Sequence, residues 1–318
     1  GKTEMTSRGR QFMDLIASPE ILLTPGVYDG YSARLVEKAG FRTAAISGAG
    51  LSESNLGWAD MGIMGFEENL RACRAIAACT DLLLTADADT GYGNALNVHF
   101  VVRAFENAGL AGVMIEDQVW PKRCGHMAGK QVIGADEMVQ KIKAAADART
   151  DPHFAIKART DATAIYGVDE AIRRLNLYAE AGADFLFADA LLSAEDIEKV
   201  ARGVTKPLTV NMGLGIRTRP TTPLLTPRQL QDMGVAGITY PRLLSTAAVR
   251  GMMNALAAFE ESVENDETVD RPDLTVSFDE LNDLMGLGRL KDLEERFVAP
   301  AGPPGVAPGG QSQAEESQ

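Results

Sequence analysis

A short unit recurs along this chain and limits its fold more than any other feature. A helical stretch closes on a small-Gly or Met-Gly pair, and an apolar run follows within a few residues. The pairs are Ala39-Gly40, Ala108-Gly109, Ala181-Gly182 and Met233-Gly234. Glycine just past a helix takes the left-handed conformation that closes the last turn. The runs that follow do not alternate with polar residues, which is how a parallel strand buried on both faces reads. Eight such runs occur: Ile21–Val27, Thr43–Ser47, Leu82–Ala86, Gly112–Ile115, Phe154–Ala158, Phe185–Ala188, Leu208–Val210 and Gly237–Thr239. Helical stretches alternate with them: Gly30–Ala39, Phe66–Ala78, Asn97–Ala108, Ala135–Arg149, Val168–Ala181, Ala194–Arg202, Pro227–Met233 and Thr246–Glu264. Eight strand–helix units in about 250 residues predict an α/β chain folded as a (β/α)8 TIM barrel. An open doubly wound sheet is the alternative. It usually carries GxGxxG after its first strand, where this chain has Tyr28-Asp29-Gly30.

The barrel is expected over residues 8–265, and a linker with one further helix, Phe278–Phe297, over 266–298. That helix lies beyond the eight units and must pack outside the basic barrel. Residues 299–318 are Pro, Gly, Gln and Ser with little to bury, so a disordered tail is expected there.

Charge narrows the function. The 318 residues carry 31 Lys+Arg against 44 Asp+Glu, a net charge of −13. That balance counts against a nucleic-acid binder and against docking on anionic membrane. The acidity is localised: residues 260–280 hold nine acids and one base. The catalytic face of a barrel can therefore still attract an anion. Three cysteines, Cys73, Cys79 and Cys124, make no disulfide framework, and no apolar run is long enough to span a bilayer. With no signal-peptide pattern at the N-terminus, a cytoplasmic enzyme is expected.

In such barrels catalytic groups sit at the C-terminal ends of strands. Here those positions are Asp29, Ser47, Asp87, Glu116, Arg159, Asp189, Asn211 and Tyr240, each after an apolar run. Asp87 and Asp89 are two apart and leave their strand on one side. With Glu116-Asp117 from the next strand they would repel one another without a cation among them. A hard divalent ion fits, Mg2+ or Mn2+; zinc fits less well, since no His/Cys spacing accompanies the acids. Solvated strand-end acids are the plain alternative. The loop Lys122-Arg123-Cys124-Gly125-His126 sets two cations and an imidazole around a thiol, which favours the thiolate and makes the thiol a competent acid or nucleophile. Cys73 and Cys79 lie on an apolar helix face and read as core residues; His99 and His153 read as surface or packing residues. Ser47-Gly48-Ala49-Gly50 lets backbone N–H groups approach an anion, and Arg159 suits a substrate carboxylate.

The segments Ala86–Gly93, Glu116-Asp117-Gln118, Lys122–His126 and Ala158-Arg159-Thr160-Asp161, in this order and spacing, resemble the isocitrate lyase/phosphoenolpyruvate mutase superfamily. The likeness covers roughly residues 8–298 and is strongest to the 2-methylisocitrate lyase and 2-alkylmalate lyase branch. It implies a barrel whose last helix swaps onto a neighbouring subunit, in dimers that pair into a homotetramer. It implies Mg2+ on Asp87, with Asp60, Asp89 and Glu116 bonding mostly through metal waters. It implies that Ser47, Gly48 and Ala49 bind the carboxylate of an α-keto-acid portion and that Arg159 contacts oxygens at the metal. Cys124 would be the general acid that protonates the departing carbanion, on a closing loop with Lys122, Gly125 and His126. A 2-hydroxy acid losing its C2–C3 bond needs a base, a Lewis acid and a proton donor, which is consistent with this set.

Three places depart from the family pattern. Asp189 stands where Glu is usual. The segment Asn211–Pro220 lacks a Glu and carries an insertion with Arg217 and Arg219. Arg242 follows Tyr240-Pro241, where Leu is usual. These fall where Asp189, Asn211 and Arg242 would hold the variable end of the substrate, so a more anionic or larger substrate than 2-methylisocitrate is expected. Phosphonate chemistry of the mutase type, oxaloacetate hydrolysis or decarboxylation, and a ligand-sensing barrel without turnover are the alternatives. Most phosphoenolpyruvate mutases have Asn in place of Cys124, which counts against that branch.

Overall fold

The computed structural model describes residues 6–125, 127–217 and 220–298. His126, Arg219 and the expected tail lie outside the described residues. Eight strands close into a barrel in chain order, β1 Leu22–Val27, β2 Thr43–Ile46, β3 Leu83–Asp87, β4 Gly112–Glu116, β5 Ala155–Thr160, β6 Phe185–Ala188, β7 Leu208–Asn211 and β8 Gly237–Tyr240. Every neighbouring pair is parallel, and β8 closes on β1 through Leu22 opposite Gly237. The eight apolar runs read from the sequence are these eight strands. Several extend one or two residues further, so that Asp87, Glu116, Arg159 and Asn211 are still strand residues. Parallel neighbours bond them at the rim, which local polarity does not reveal.

Between the strands lie α2 Gly30–Lys38, α3 Gly48–Leu51, α4 Phe66–Cys79, α5 Ala95–Asn107, α6 Ala135–Ala148, α7 Thr163–Tyr166, α8 Val168–Ala181, α9 Ala194–Gly203 and α10 Pro227–Asp232, followed by α11 Leu243–Glu264. The glycines after α2, α5, α8 and α10 all have positive φ, between 91° and 126°. Besides α1 (Arg8–Ile16), three short elements were not anticipated. The Ser47-Gly48-Ala49-Gly50 turn is the start of α3, which runs on into a π-helical turn at Ser52–Leu56, and α7 follows β5 directly.

One end of the barrel is shut. Helix α1, Arg8–Ile16, is capped by Ser7, whose Oγ accepts from the Arg10 N–H at 3.2 Å. Its Phe12 and Ile16 bury against Leu83, Ala155 and Phe185, the first residues of β3, β5 and β6. The rings of Phe12 and Phe185 are 5.2 Å apart. A Cβ at Gly9 would collide with the His153 carbonyl, so glycine lets α1 lie this close. The opposite, C-terminal end of the strands is where a site is expected.

The described residues divide into two compact units, 6–270 and 271–298. In the second, the single helix expected over Phe278–Phe297 is two helices, α12 Phe278–Leu284 and α13 Leu287–Phe297. The break falls at Met285-Gly286, where Gly286 has φ 76°. No described helix is long and apolar enough to cross a membrane.

Candidate active site

The open end of the barrel holds a narrow cleft, lined from seven of the eight strand ends and the loops after them. Ser47, Ala49, Asp60, Asp87, Lys122, Cys124, Gly125, Arg159, Asp189, Asn211 and Arg242 all line it. Gly48 lies directly behind Asp87; a Cβ there would come within 2.7 Å of Asp87 Oδ2. Asp89 and Glu116 are buried beneath the lining. Two further strand-end residues named from the sequence do not line the cleft. Asp29 caps α2 by accepting from Ser32 N–H at 2.7 Å, and Tyr240 stays half-buried outside the cleft.

Charge is dense here and mostly paired. Lys122 Nζ lies 2.8 Å from Asp60 Oδ2 and 3.0 Å from Asp89 Oδ1, all buried. Burial works against the Lys122 charge, but the surrounding carboxylates outweigh it and hold the ammonium protonated. Arg159 forms a two-pronged bond to Asp161, Nε to Oδ2 and Nη2 to Oδ1, each 2.8 Å, and reaches Glu116 Oε2 at 3.2 Å. Burial pushes Asp89 up to about 6 and Glu116 well above the carboxylate range, with Lys122 and Arg159 offsetting only part of it. Tyr92 OH donates to Asp89 Oδ2 at 3.0 Å, and Asn69 Nδ2 bonds both Tyr92 OH and the Asp87 carbonyl.

The acids fit a hard divalent ion. Asp89 Oδ1 and Glu116 Oε2 are buried and accept no well-directed hydrogen bond among the described residues, although a cation lies within ion-pair distance of each. Such oxygens are acceptors for ordered water. Among the described residues no three acids, cysteines or histidines converge to ligate one ion directly.

Cys124 is buried, its N–H donating to the Asp60 carbonyl at 3.1 Å. Arg242, at the foot of α11, places Nη2 3.3 Å from Cys124 Sγ and Nη1 2.9 Å from Glu53 Oε1. Cys73 is a core residue whose thiol bonds Asn69 Oδ1 at 3.3 Å, and burial raises its pKa.

Some expectations change. Asp117, the residue after Glu116 at the end of β4, does not line the cleft. It accepts from Thr160 Oγ1, Tyr178 OH and the Asp161 N–H, and pairs with Arg174, tying β4 and β5 to α8. Arg217 is exposed and touches only the Gly215 carbonyl among the described residues. The charge of Arg242 is already matched by Glu53. Two lysines were missed. Lys130 Nζ bonds Asp161 at 3.0 Å and Asp189 at 2.6 Å, and Lys157 lines the floor of the cleft. Lys157 stands two residues before Arg159, so strand alternation could have found it; Lys130 gave no such signal.

The phosphoenolpyruvate phosphomutase family model matches residues 12–260. The chain is 37% identical to 2,3-dimethylmalate lyase of Eubacterium barkeri over 90% of its own length and 96% of that protein's. It is 40% identical to probable 2-methylisocitrate lyase 2 of Corynebacterium glutamicum, covering 84% of this chain and 85% of the relative. Among solved structures it resembles oxaloacetate acetylhydrolase in complex with 3,3-difluorooxalacetate, with TM-score 0.85 and 27% identity over 93% of this chain and 98% of that one. It also resembles phosphonopyruvate hydrolase in complex with oxalate and Mg2+, with TM-score 0.80 and 27% identity over 92% and 100%. A closed eight-stranded barrel, a cysteine loop over buried carboxylates and these matches together place the chain in the phosphoenolpyruvate mutase/isocitrate lyase superfamily.

Proposed function

We propose that this enzyme is a Mg2+-dependent carbon–carbon lyase that cleaves a 2-hydroxy di- or tricarboxylate of the 2-alkylmalate or 2-methylisocitrate kind. The products are an α-keto acid, pyruvate or glyoxylate, and a carboxylate. The observation that carries the reading is a buried thiol, Cys124, lining one cleft with Asp87 and Arg159.

Asp87 would hold the ion, with Asp60, Asp89 and Glu116 behind it bonding its waters. Mg2+ or Mn2+ bound there supplies Lewis acidity to the hydroxyl and carboxylate oxygens of the substrate. Arg159, fixed by Asp161, presents its guanidinium edge to substrate oxygens. Ser47, Gly48 and Ala49 bring the first turn of α3 against the keto-acid carboxylate. Cys124 gives its proton to the carbon left behind, with the Arg242 guanidinium 3.3 Å from its Sγ. Lys122 and His126 belong to the same loop; Lys122 neutralises Asp60 and Asp89 rather than moving a proton itself.

A second cavity, of about 320 Å³, shares Gly125, Asp189 and Asn211 with the cleft and is lined by Phe187, Leu191 and Val210. It supports a substrate with a larger apolar substituent. Hydrolysis of oxaloacetate is the second reading, favoured by the likeness to oxaloacetate acetylhydrolase.

Assembly follows the same reading. On α11, Val249, Met252, Leu256, Phe259 and Val263 are exposed at alternating spacings of three and four, a seam fit for another helix. Phe278, Leu290 and Phe297 on α12 and α13 are also exposed. We read these as surfaces that meet other copies in a homotetramer.

The test is a substrate panel with Mg2+: 2,3-dimethylmalate, 2-methylisocitrate, oxaloacetate and phosphonopyruvate. Release of pyruvate or glyoxylate from the first two supports the lyase. Oxalate from oxaloacetate supports the second reading, and phosphate from phosphonopyruvate alone sinks both.

A further inference from the structure

One cation of the cleft has no part in the chemistry above. Lys157 precedes Arg159 by two on β5, so both side chains point into the barrel. Its register neighbours are Met114 on β4 and Phe185 on β6. Nζ lies 5.4 Å and 5.2 Å from the ring centroids of Phe185 and Phe187. The residue is 7% exposed and lines the same cleft as Asp87 and Cys124.

The other cations lining this cleft are matched: Lys122 by Asp60 and Asp89, Arg159 by Asp161 and Glu116, Arg242 by Glu53. Among the described residues Lys157 has no ion pair. Its two aromatic neighbours attract an ammonium without neutralising it. A methionine would fill this space at no electrostatic cost, whereas an unmatched buried charge is expensive. A ligand that brings an anionic oxygen to the cleft floor relieves that cost.

We propose that Lys157 is a substrate-binding residue at the floor of the pocket, its ammonium pairing with a carboxylate oxygen of the bound acid. The inference rests on the lyase reading for the identity of that acid. Burial, with the nearby Arg159 charge, lowers Lys157 to about 7, opposed by Asp87. An arriving carboxylate favours the charged form and gains a charge-assisted hydrogen bond in a dry site.

The test compares the full chain with Lys157→Met and Lys157→Arg. Calorimetry with Mg2+ present gives dissociation constants for oxalate, 2,3-dimethylmalate and 2-methylisocitrate. Lys157→Met is expected to weaken at least one of them tenfold or more, and Lys157→Arg to recover most of the loss. In turnover, KM is expected to rise by a larger factor than kcat falls. Binding of all three within twofold of wild type by Lys157→Met overturns the proposal, as does a wild-type chain that binds none. Wild-type binding without cleavage counts against the lyase reading and leaves this one to the variants. Cleavage with unaltered binding in Lys157→Met does the reverse. Should Lys157→Met fail to fold, Lys157→Gln is held to the same thresholds.

Discussion

Arg242 reaches over the mouth of the barrel and sets Nη2 3.3 Å from Sγ of Cys124, while Glu53 holds its other amino group at 2.9 Å. The thiol is thus buried beside a cation whose own charge is balanced. Cys124→Ser is expected to lower kcat for cleavage roughly 100-fold or more while leaving the fold intact, as for a lost general acid. Arg242→Ala is expected to lower it about tenfold, the scale of one charge-assisted bond. Steady-state kinetics beside a thermal melt checks both; full turnover by Cys124→Ser would remove it as the acid.

Lys122 answers for two buried carboxylates. Lys122→Met leaves Asp60 and Asp89 without it, and destabilisation of about 3–5 kcal/mol is expected in urea unfolding of the metal-free protein. Adding Asp89→Asn to that variant is expected to restore part of the loss. Additive losses in the double variant would refute the pairing.

Lys157 makes stability depend on pH in an unusual direction. Below about pH 7 it is charged in the folded and unfolded chain alike, so the cost of burying it is fully present. Between that pH and about 10.4 the unfolded chain still binds the proton and the folded chain does not. Stability from this residue therefore rises with pH across that window. Unfolding midpoints of wild type relative to Lys157→Met are expected to climb, by up to about 4 kcal/mol in free energy. A flat difference would contradict the burial of its charge.

Metal binding gives a readout independent of turnover. Mg2+ is expected to raise the melting temperature of the wild type, since a ligand of the folded state alone stabilises it. Asp87→Asn is expected to lose that rise, and chelation to abolish cleavage in the wild type. An equal rise in Asp87→Asn would place the ion elsewhere.

The seam on α11 predicts association. Light scattering is expected to give a tetramer for the full chain, and Leu256→Glu or Phe259→Glu a smaller species. A monomeric wild type would show that these apolar side chains serve no assembly of this chain.

Much of the site could be read without coordinates because its signals are local. Asp87, Glu116, Arg159 and Asn211 each follow an apolar run, and a barrel brings all strand ends to one rim. Helix α1 escaped notice because its apolar residues, Phe12 and Ile16, carry meaning only once Phe185 and Ala155 lie above them. The split of the last helix turned on one glycine, Gly286, in a stretch otherwise suited to a continuous helix.

The sequence by itself determined the eight strand–helix units, the polar rim and the cysteine loop, since strand periodicity and glycine stops act between near neighbours. Tertiary structure decided how the charges are matched. Asp60 meets Lys122 across 62 positions and Glu53 meets Arg242 across 189, so barrel closure, not proximity in the chain, makes these pairs. The same closure keeps Asp117 out of the cleft lining, gives Asp189 to Lys130, and leaves Lys157 without an ion pair among the described residues. Which buried charge remains for a ligand depends on register and curvature, quantities that no local pattern of residues encodes.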